Sequence, residues 1–235
     1  MPSSRPCTIP YVIGIIRQLQ PESILDVGVG FGKWGYLFRE YTDIVESEHD
    51  SGRYAKAGWK TTIDGIEGFE RYLHPAHQFT YDEVHVGTVQ EILPTLRVYD
   101  IVFFGDIIEH LMLDEGQAVL REAISHARKA VIITTPRYDT RQKTLCGNPL
   151  ELHQSLWTVA ALQSVSDCVV TPVDSDTLIA VFSSGATPRN VVRQWKRQAS
   201  RLWLVERVRE SISGVRNMAT KARSVFASQG RHPRT

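Results

Sequence analysis

One stretch constrains this chain more than any other: residues 24–34, with the sequence ILDVGVGFGKW. Its start is apolar around Asp26, as in a short buried strand. Three glycines follow at alternate positions, namely Gly28, Gly30 and Gly32. A helical pattern then begins at Lys33. Glycine lets a backbone approach a ligand closely, and a helix start presents unpaired N–H groups with partial positive charge. The stretch therefore predicts a cradle for a carboxylate or a phosphate.

Strand-like and helix-like patterns alternate along the rest of residues 8–185. The predicted strands are Ile24–Val27, Thr61–Glu67, Tyr81–Gly87, Tyr99–Asp106, Lys129–Pro136, Cys168–Val173 and Leu178–Phe182. The predicted helices are 8–19, 33–41, a short one from Gly68 that Pro75 stops, Val89–Leu96, 114–127 and 155–166. Such alternation predicts an α/β fold with a doubly wound, mostly parallel seven-stranded sheet and a C-terminal antiparallel strand pair. We expect residues 42–60 to form a long surface loop that could act as a lid, and residues 137–152 to form a second loop.

Charge divides the 235 residues into two parts. Residues 1–185 hold 15 Lys and Arg against 24 Asp and Glu, whereas residues 186–235 hold 12 against two. We interpret 1–185 as the main domain and 186–235 as a basic amphipathic helical tail that is disordered at its end. The tail, over residues 189–226, could lie on an anionic membrane surface, or dock on the acidic body or on a partner subunit. The acidic body makes a nucleic-acid partner unlikely.

Sequence patterns also indicate where the protein is located. No apolar run reaches the length of a membrane span, and the N-terminus lacks a secretory pattern. Three widely separated cysteines have no metal-binding spacing, namely Cys7, Cys146 and Cys168. We expect free thiols and a cytoplasmic protein, peripheral at a membrane only if the tail binds one.

The glycine turn does not match either of two known phosphate-binding motifs. A dinucleotide fingerprint requires G-x-G-x-x-G with an acid about 20 residues on, but this chain has G-x-G-x-G with Lys33 next. The phosphate-binding P-loop requires Gly-Lys-Ser/Thr, which the stretch lacks. The residues instead resemble the first motif of class I S-adenosylmethionine-dependent methyltransferases. That resemblance extends over residues 8–184, through the DIIEHL motif at 106–111 and the TTP at 134–136.

The resemblance implies a Rossmann-like methyltransferase fold with S-adenosylmethionine as cofactor. It implies that the methionine carboxylate meets backbone N–H groups of the glycine turn and that the amino group approaches Asp26 or nearby carbonyls. Glu67 would accept both ribose hydroxyls, as a carboxylate does well. Thr88 and Val89 stand where the family contacts adenine. The implied cofactor residues are Asp26, Gly28, Gly30, Gly32, Glu67, Thr88, Val89 and Asp106.

The methyl acceptor is less constrained than the donor. We expect a hydroxyl of a small molecule or sugar, with His153, His110 and Glu109 as candidate catalytic residues, because histidine near neutral pH can take the hydroxyl proton. This interpretation uses no metal. A first alternative resembles the RNA 3′-end ribose methyltransferases, which bind a divalent metal through two acids and two histidines, here Asp106, Glu109, His110 and His153. A second alternative is a cofactor-binding scaffold without catalysis.

Overall fold

Seven strands form one sheet, and the helices pack on its two faces. The computed structural model describes residues 4–45, 55–138, 144, 147–185 and 190–205. The strands are β1 (Ser23–Val27), β2 (Thr62–Glu67), β3 (Glu83–Val86), β4 (Tyr99–Gly105), β5 (Ala127–Pro136), β6 (Val169–Pro172) and β7 (Thr177–Ser183). Their order is β3-β2-β1-β4-β5-β7-β6, and only β7 runs antiparallel to its neighbours. The predicted mostly parallel sheet with a C-terminal antiparallel pair is confirmed.

Helices cover both faces of this sheet. The α-helices that follow one another along the chain are α1 (Ile9–Leu19), α2 (Lys33–Arg39), α3 (Pro75–Thr80), α4 (Val89–Ile92), α5 (Leu113–Ser125) and α6 (Val159–Gln163). A further helix covers residues 190–205. No helix in the described part of the chain is both long and apolar enough to cross a membrane.

The buried side chains form two cores, one on each face of the sheet. In β4, Ile101 and Phe103 point into the core that α1 and α2 cover, whereas Val102 and Phe104 point into the core that α4 and α5 cover. Successive strand residues face opposite sides, so a strand buried on both faces must be continuously apolar. This explains the uninterrupted apolar run that predicted β4.

The site's position follows from the order of the strands. From β1 the chain proceeds to β2 and β3 on one side, and then returns to place β4 on the other side of β1. The connections after β1 and β4 therefore diverge to opposite sides and leave a crevice at the carboxyl ends of these strands. The glycine turn follows β1, and Asp106 follows β4, so both lie at this crevice.

Pro75 begins a helix instead of ending one, which corrects the sequence prediction. The predicted helix from Gly68 is only a 3₁₀ turn at Glu70–Tyr72, and α3 follows with Pro75 as its first residue. Proline suits that position because its missing N–H would have no partner in the first turn. The ring nitrogen of His74 accepts the N–H of Ala76 and caps this helix.

The limits of other helices also differ from the predicted ones. The helix predicted at 33–41 becomes α2 and a π-helical turn at Glu40–Ile44, and the one at 155–166 shortens to α6. Glu109 and His110 lie on a 3₁₀ turn, Ile108–His110, ahead of α5. Much of the predicted lid (46–54), Cys146, residues 186–189 and the tail from 206 onward lie outside the described residues.

Candidate functional site

A cavity of about 540 Å³ opens at the carboxyl ends of the strands. This volume is in the range of small-molecule sites. Its lining contains most of the residues that the sequence predicted, namely Gly28, Gly30, Glu67, Thr88, Val89, Asp106, Glu109, His110 and His153. Asp26 and Gly32 were also predicted, but they do not line it. The structure therefore brings the candidate cofactor and catalytic residues to one cavity and leaves these two beside it.

The backbone of the glycine turn is held by hydrogen bonds, most of them to residues at the end of β2. Gly28, Gly30 and Gly32 all have positive φ, at 77°, 53° and 82°. A Cβ on Gly28 would also lie 2.1 Å from Cδ1 of Ile107. The N–H groups of Gly28 and Val29 both donate to the carbonyl of Ile66, and that of Gly32 donates to Val29. The N–H of Gly30 donates to Glu67 Oε2 at 2.9 Å. Four of the five amides of residues 28–32, which the sequence assigned to a carboxylate ligand, are therefore already used within the fold.

Asp26 lies underneath the turn, on the face of the sheet that α2 covers. Its Oδ2 accepts the hydroxyl of Tyr81 at 2.6 Å, and that hydroxyl oxygen accepts the N–H of Gly35. Its Oδ1 has no hydrogen-bond partner among the described residues. Burial raises the pKa of Asp26 to about 7, against the lowering effect of the Tyr81 hydrogen bond. The chain thus fixes the base of the glycine turn through a buried carboxyl–phenol pair.

Glu67 ends β2 with both carboxylate oxygens facing backbone donors. Oε1 accepts the N–H of Phe69 at 2.8 Å, while Oε2 accepts that of Gly30. Burial raises its pKa, and these two hydrogen bonds oppose that effect. Each carboxylate oxygen can accept more than one hydrogen bond, so Glu67 retains capacity for the two hydroxyls of a diol. The two amides hold its carboxylate in one orientation at the cavity wall.

Thr88 and Val89 lie at the start of α4, beyond the end of β3. The Thr88 hydroxyl donates to Glu91 Oε2 at 2.8 Å, and the Thr88 N–H donates to the same oxygen. Both bonds join the residue that precedes α4 to the third residue of that helix and so brace its first turn. The predicted donor groups of Thr88 are thus engaged, and its hydroxyl oxygen can still accept a hydrogen bond.

Asp106 follows β4 in a left-handed backbone conformation, with φ of 58°. A non-glycine residue in this region is strained and is often found at functional sites. Its Oδ1 accepts the hydroxyl of Thr134 at 2.9 Å. Burial raises the pKa of Asp106, which the Thr134 hydrogen bond and the nearby ammonium of Lys33 oppose.

Glu109 is buried, and only one of its oxygens has a partner. Oε2 accepts the hydroxyl of Thr135 at 3.1 Å, whereas Oε1 has no hydrogen-bond partner among the described residues. Burial, together with the charge of Asp106, holds its pKa well above the usual range. A buried oxygen without a partner in a cavity wall is costly in isolation, and a ligand proton or a cation would satisfy it.

Two histidine rings meet beside Glu109. The rings of His110 and His153 pack edge to face with centroids 4.8 Å apart. His110 Nδ1 lies 3.3 Å from the carbonyl of Leu152, which can only accept, so the neutral ring keeps its lone pair on Nε2. Burial, and then the neighbouring His153, lower the pKa of His110. A neutral imidazole with a fixed tautomer can accept a proton from a bound hydroxyl.

The same three residues form a group with metal-binding geometry. Ligand atoms of Glu109, His110 and His153 lie within 4.8 Å of one another. Asp106 was predicted as a fourth ligand, but it does not belong to this group. The arrangement can therefore serve proton transfer or hold a divalent cation.

Loop residues 152–158 are attached directly to the turn that carries Glu109. The N–H groups of Gln154 and Ser155 donate to the carbonyl of Glu109, and the indole of Trp157 donates to that of Ile108 at 2.9 Å. Trp157 is fully buried. These bonds hold the loop with His153 over the cavity.

The N-terminal segment contributes residues that the sequence did not single out. Ser4 and Arg5 line the cavity together with Lys33. The Ser4 hydroxyl donates to the carbonyl of Gly105 at 3.0 Å and accepts the indole N–H of Trp34 at 2.9 Å. Arg5 forms ion pairs with two carboxylates of the β6–β7 connection, those of Asp174 and Asp176. No motif marks such a segment, because its contacts are with residues that are about 30 to 170 positions away along the chain.

Solved structures share this fold. The N-terminal domain of EvdMO1, in the presence of SAH and D-fucose, is 16% identical with a TM-score of 0.52, over 77% of this chain and 84% of that one. An O-methyltransferase family protein from Burkholderia thailandensis is 11% identical with a TM-score of 0.50, over 77% and 56%. The methyltransferase domain of bacterial CtHen1-CN is 16% identical with a TM-score of 0.50, over 76% and 98%.

A scan against protein-family models and a search of curated proteins gave no match for this chain. At such low identities the structural likeness establishes the fold alone. The chain has the Rossmann-like fold of S-adenosylmethionine-dependent methyltransferases, and this confirms at the level of fold what the motifs at 25–32 and 106–111 predicted.

Proposed function

We propose that this protein is an S-adenosylmethionine-dependent methyltransferase acting on a hydroxyl of a small molecule or sugar. One observation carries the proposal: Glu67, the glycine turn and the Glu109–His110–His153 group line one cavity of this fold. The donor residues and the proton-accepting residues thus face a common space. The likeness to a domain solved with SAH and D-fucose supports a sugar-sized acceptor.

The described residues fit the cofactor in two respects. Glu67 is held by two amides with capacity for a ribose diol, and Thr88 and Val89 lie beyond it at the end of β3, where adenine would lie. Asp106 and the turn at Gly28 and Gly30 flank the remaining part of the cavity. Asp26 and Gly32 shape the turn from behind. S-adenosylmethionine would supply a methyl group activated on a sulfonium sulfur.

His153 and His110 are the proposed proton acceptors for the hydroxyl. Burial and the neighbouring His153 lower the pKa of His110, and the lone pair of its neutral ring is on Nε2. Glu109 lies against this pair and would accept a hydrogen bond from the acceptor or from an imidazole at its unpartnered oxygen. The loop anchored by Trp157 would exclude water from this half of the cavity.

Replacement of Glu67 tests the cofactor assignment. We expect Glu67→Ala to weaken S-adenosylhomocysteine binding by about tenfold to a hundredfold, because hydrogen bonds to a charged group contribute about 1.5–3 kcal/mol. Isothermal titration calorimetry measures this, with Glu70→Ala as the control, since Glu70 is exposed and does not line the cavity. Failure of the wild type to bind, or equal affinity in the Glu67 variant, would overturn the assignment.

A second candidate is a metal-dependent methyltransferase, favoured by the grouping of Glu109, His110 and His153. Glu109 has an oxygen without a partner, and imidazole nitrogens together with carboxylate oxygens bind Mn²⁺ and Zn²⁺. A cation held there would orient a hydroxyl and lower its pKa.

Transfer of a labelled methyl group to a monosaccharide panel separates these mechanisms. Under the base mechanism, activity persists in EDTA and falls by a factor of about 10² to 10⁴ in His153→Ala. Under the metal mechanism, EDTA abolishes activity and Mn²⁺ restores it. Binding of the cofactor with no transfer to any hydroxyl acceptor would favour the scaffold alternative.

A further inference from the structure

Lys33 is a cavity-lining cation without a carboxylate partner. It is the first residue of α2, and it lines the cavity beside Gly28 and Gly30. Its ammonium donates to the carbonyl of Ser4 and lies 5.1 Å from the ring centroid of Trp34. Arg5, the other lysine or arginine in the described lining, is paired with two carboxylates, but Lys33 forms no ion pair within the described residues.

Most amide donors of the glycine turn are already used within the fold. The N–H groups of residues 28, 29, 30 and 32 all donate within the fold, one of them to the carboxylate of Glu67. A negative ligand group at this turn would also face the carboxylates of Glu67 and Asp106. The ammonium of Lys33 supplies a positive charge at this place.

The position of Lys33 along the cavity matches one end of the cofactor. In the sheet order β3-β2-β1-β4, Thr88 follows β3, Glu67 ends β2, and Lys33 lies beyond β1 within electrostatic reach of Asp106 after β4. A ligand with adenine near Thr88 and ribose on Glu67 must extend its remaining part across β1 toward β4. That part of S-adenosylmethionine is its amino-acid moiety.

We propose that Lys33 binds the α-carboxylate of S-adenosylmethionine, with the Ser4 carbonyl fixing the orientation of the ammonium. The inference rests on the proposed function. Of the three N–H donors of the ammonium, one is used by Ser4, which leaves two for a carboxylate. Burial lowers the pKa of Lys33, and the nearby charge of Asp106 opposes this effect. A bound carboxylate would stabilise the charged ammonium further.

Decarboxylated S-adenosylmethionine isolates this contact, because it lacks the carboxylate and keeps the rest of the cofactor. In calorimetry, the wild type should bind S-adenosylmethionine about tenfold to a hundredfold more tightly than the decarboxylated compound. Lys33→Met should lose this preference, weakening S-adenosylmethionine binding and leaving the decarboxylated compound unchanged. Lys33→Arg should keep part of the preference. Lys60→Met, at an exposed position outside the cavity, should behave as the wild type.

Two results would overturn the inference while leaving the proposed function intact. One is a wild type that binds both compounds equally, a result that depends on no variant. The other is a folded Lys33→Met protein, or Lys33→Gln if the Met variant fails to fold, that loses affinity for both compounds alike. A folded wild type that binds neither compound would instead reject the proposed function, and the inference with it.

Discussion

Asp26 is a carboxyl group that the fold buries completely below the glycine turn, with 0% of its surface exposed. Its hydrogen bond from Tyr81 ties β1 to the residue that follows α3, and the bond from Gly35 to Tyr81 ties both to α2. The sequence identified Asp26 as part of a ligand motif. The structure gives it a second role, as the buried point on which three elements converge beneath the cavity.

Asp26 should make stability depend on pH. Its pKa is about 7 in the folded protein and about 4 in the unfolded chain. The stability from this group is therefore fully present below pH 4 and is lost as the pH rises toward 7. Asp26→Asn removes the titration, so the wild type should lose stability relative to it by up to about 1.4 kcal/mol per pH unit in this window.

Urea unfolding of both proteins at intervals between pH 4.5 and 8 measures that difference. Its slope with pH is informative even if the amide changes stability by a constant amount. Asp114→Asn, on an exposed part of α5, serves as the control and should follow the wild type. A constant difference between Asp26→Asn and wild type across the range would show that Asp26 is not the titrating group.

At the scale of elements, the helix at 190–205, which is the described part of the predicted tail, packs on the body. Three of its residues are buried against the body, namely Val192, Trp195 and Ala199. The Trp195 indole donates to the carbonyl of Tyr11 in α1 at 2.9 Å, and Gln18 donates to Gln198. The sequence analysis gave three possible binding places for the tail: a membrane surface, the acidic body or a partner subunit. Residues 190–205 dock on the body. Binding of the tail, residues 189–226, to a membrane surface or a partner subunit stays a prediction.

Truncation tests whether this helix belongs to the folded body. A chain ending at residue 185 exposes α1 and removes a buried tryptophan, so its free energy of unfolding should fall by at least about 3 kcal/mol. A chain ending at residue 205 retains the contacts of this helix and should be more stable than the chain ending at 185. Denaturant unfolding compares the three. Equal stability of the chain ending at 185 would show that the body folds independently of the helix.

The helix α3 was not predicted, because the sequence pattern placed Pro75 at the end of a helix. Pro75 stops a helix when it lies inside one, but it favours a helix when it lies at the first position. The choice depends on where residues 81 and 82 enter the sheet, since the carbonyl of Ile63 accepts the N–H of Asp82 beside β2. Such contacts between distant segments are not recorded in the local pattern around Pro75.

At the scale of the whole molecule, the topology was predictable because hydrophobic patterning repeats at every strand. Parallel strands buried on both faces require long apolar runs, and their connections are constrained to one handedness. The glycine turn, Glu67 and Asp106 each follow a strand, so the topology alone brings them to one edge of the sheet. This is why most of the predicted site residues line one cavity.

The sequence by itself determined the sheet, the order of its elements and the types of residue at the strand ends, because these depend on local periodicity and turn chemistry. Only the tertiary structure decided which donors of residues 24–34 are free. The amides of residues 28, 29, 30 and 32 donate to Ile66, Val29 and Glu67, and Lys33 forms no ion pair within the described residues. Hydrogen bonds between residues about 37 positions apart, such as that from Gly30 to Glu67, exist only after folding, and no local pattern records them.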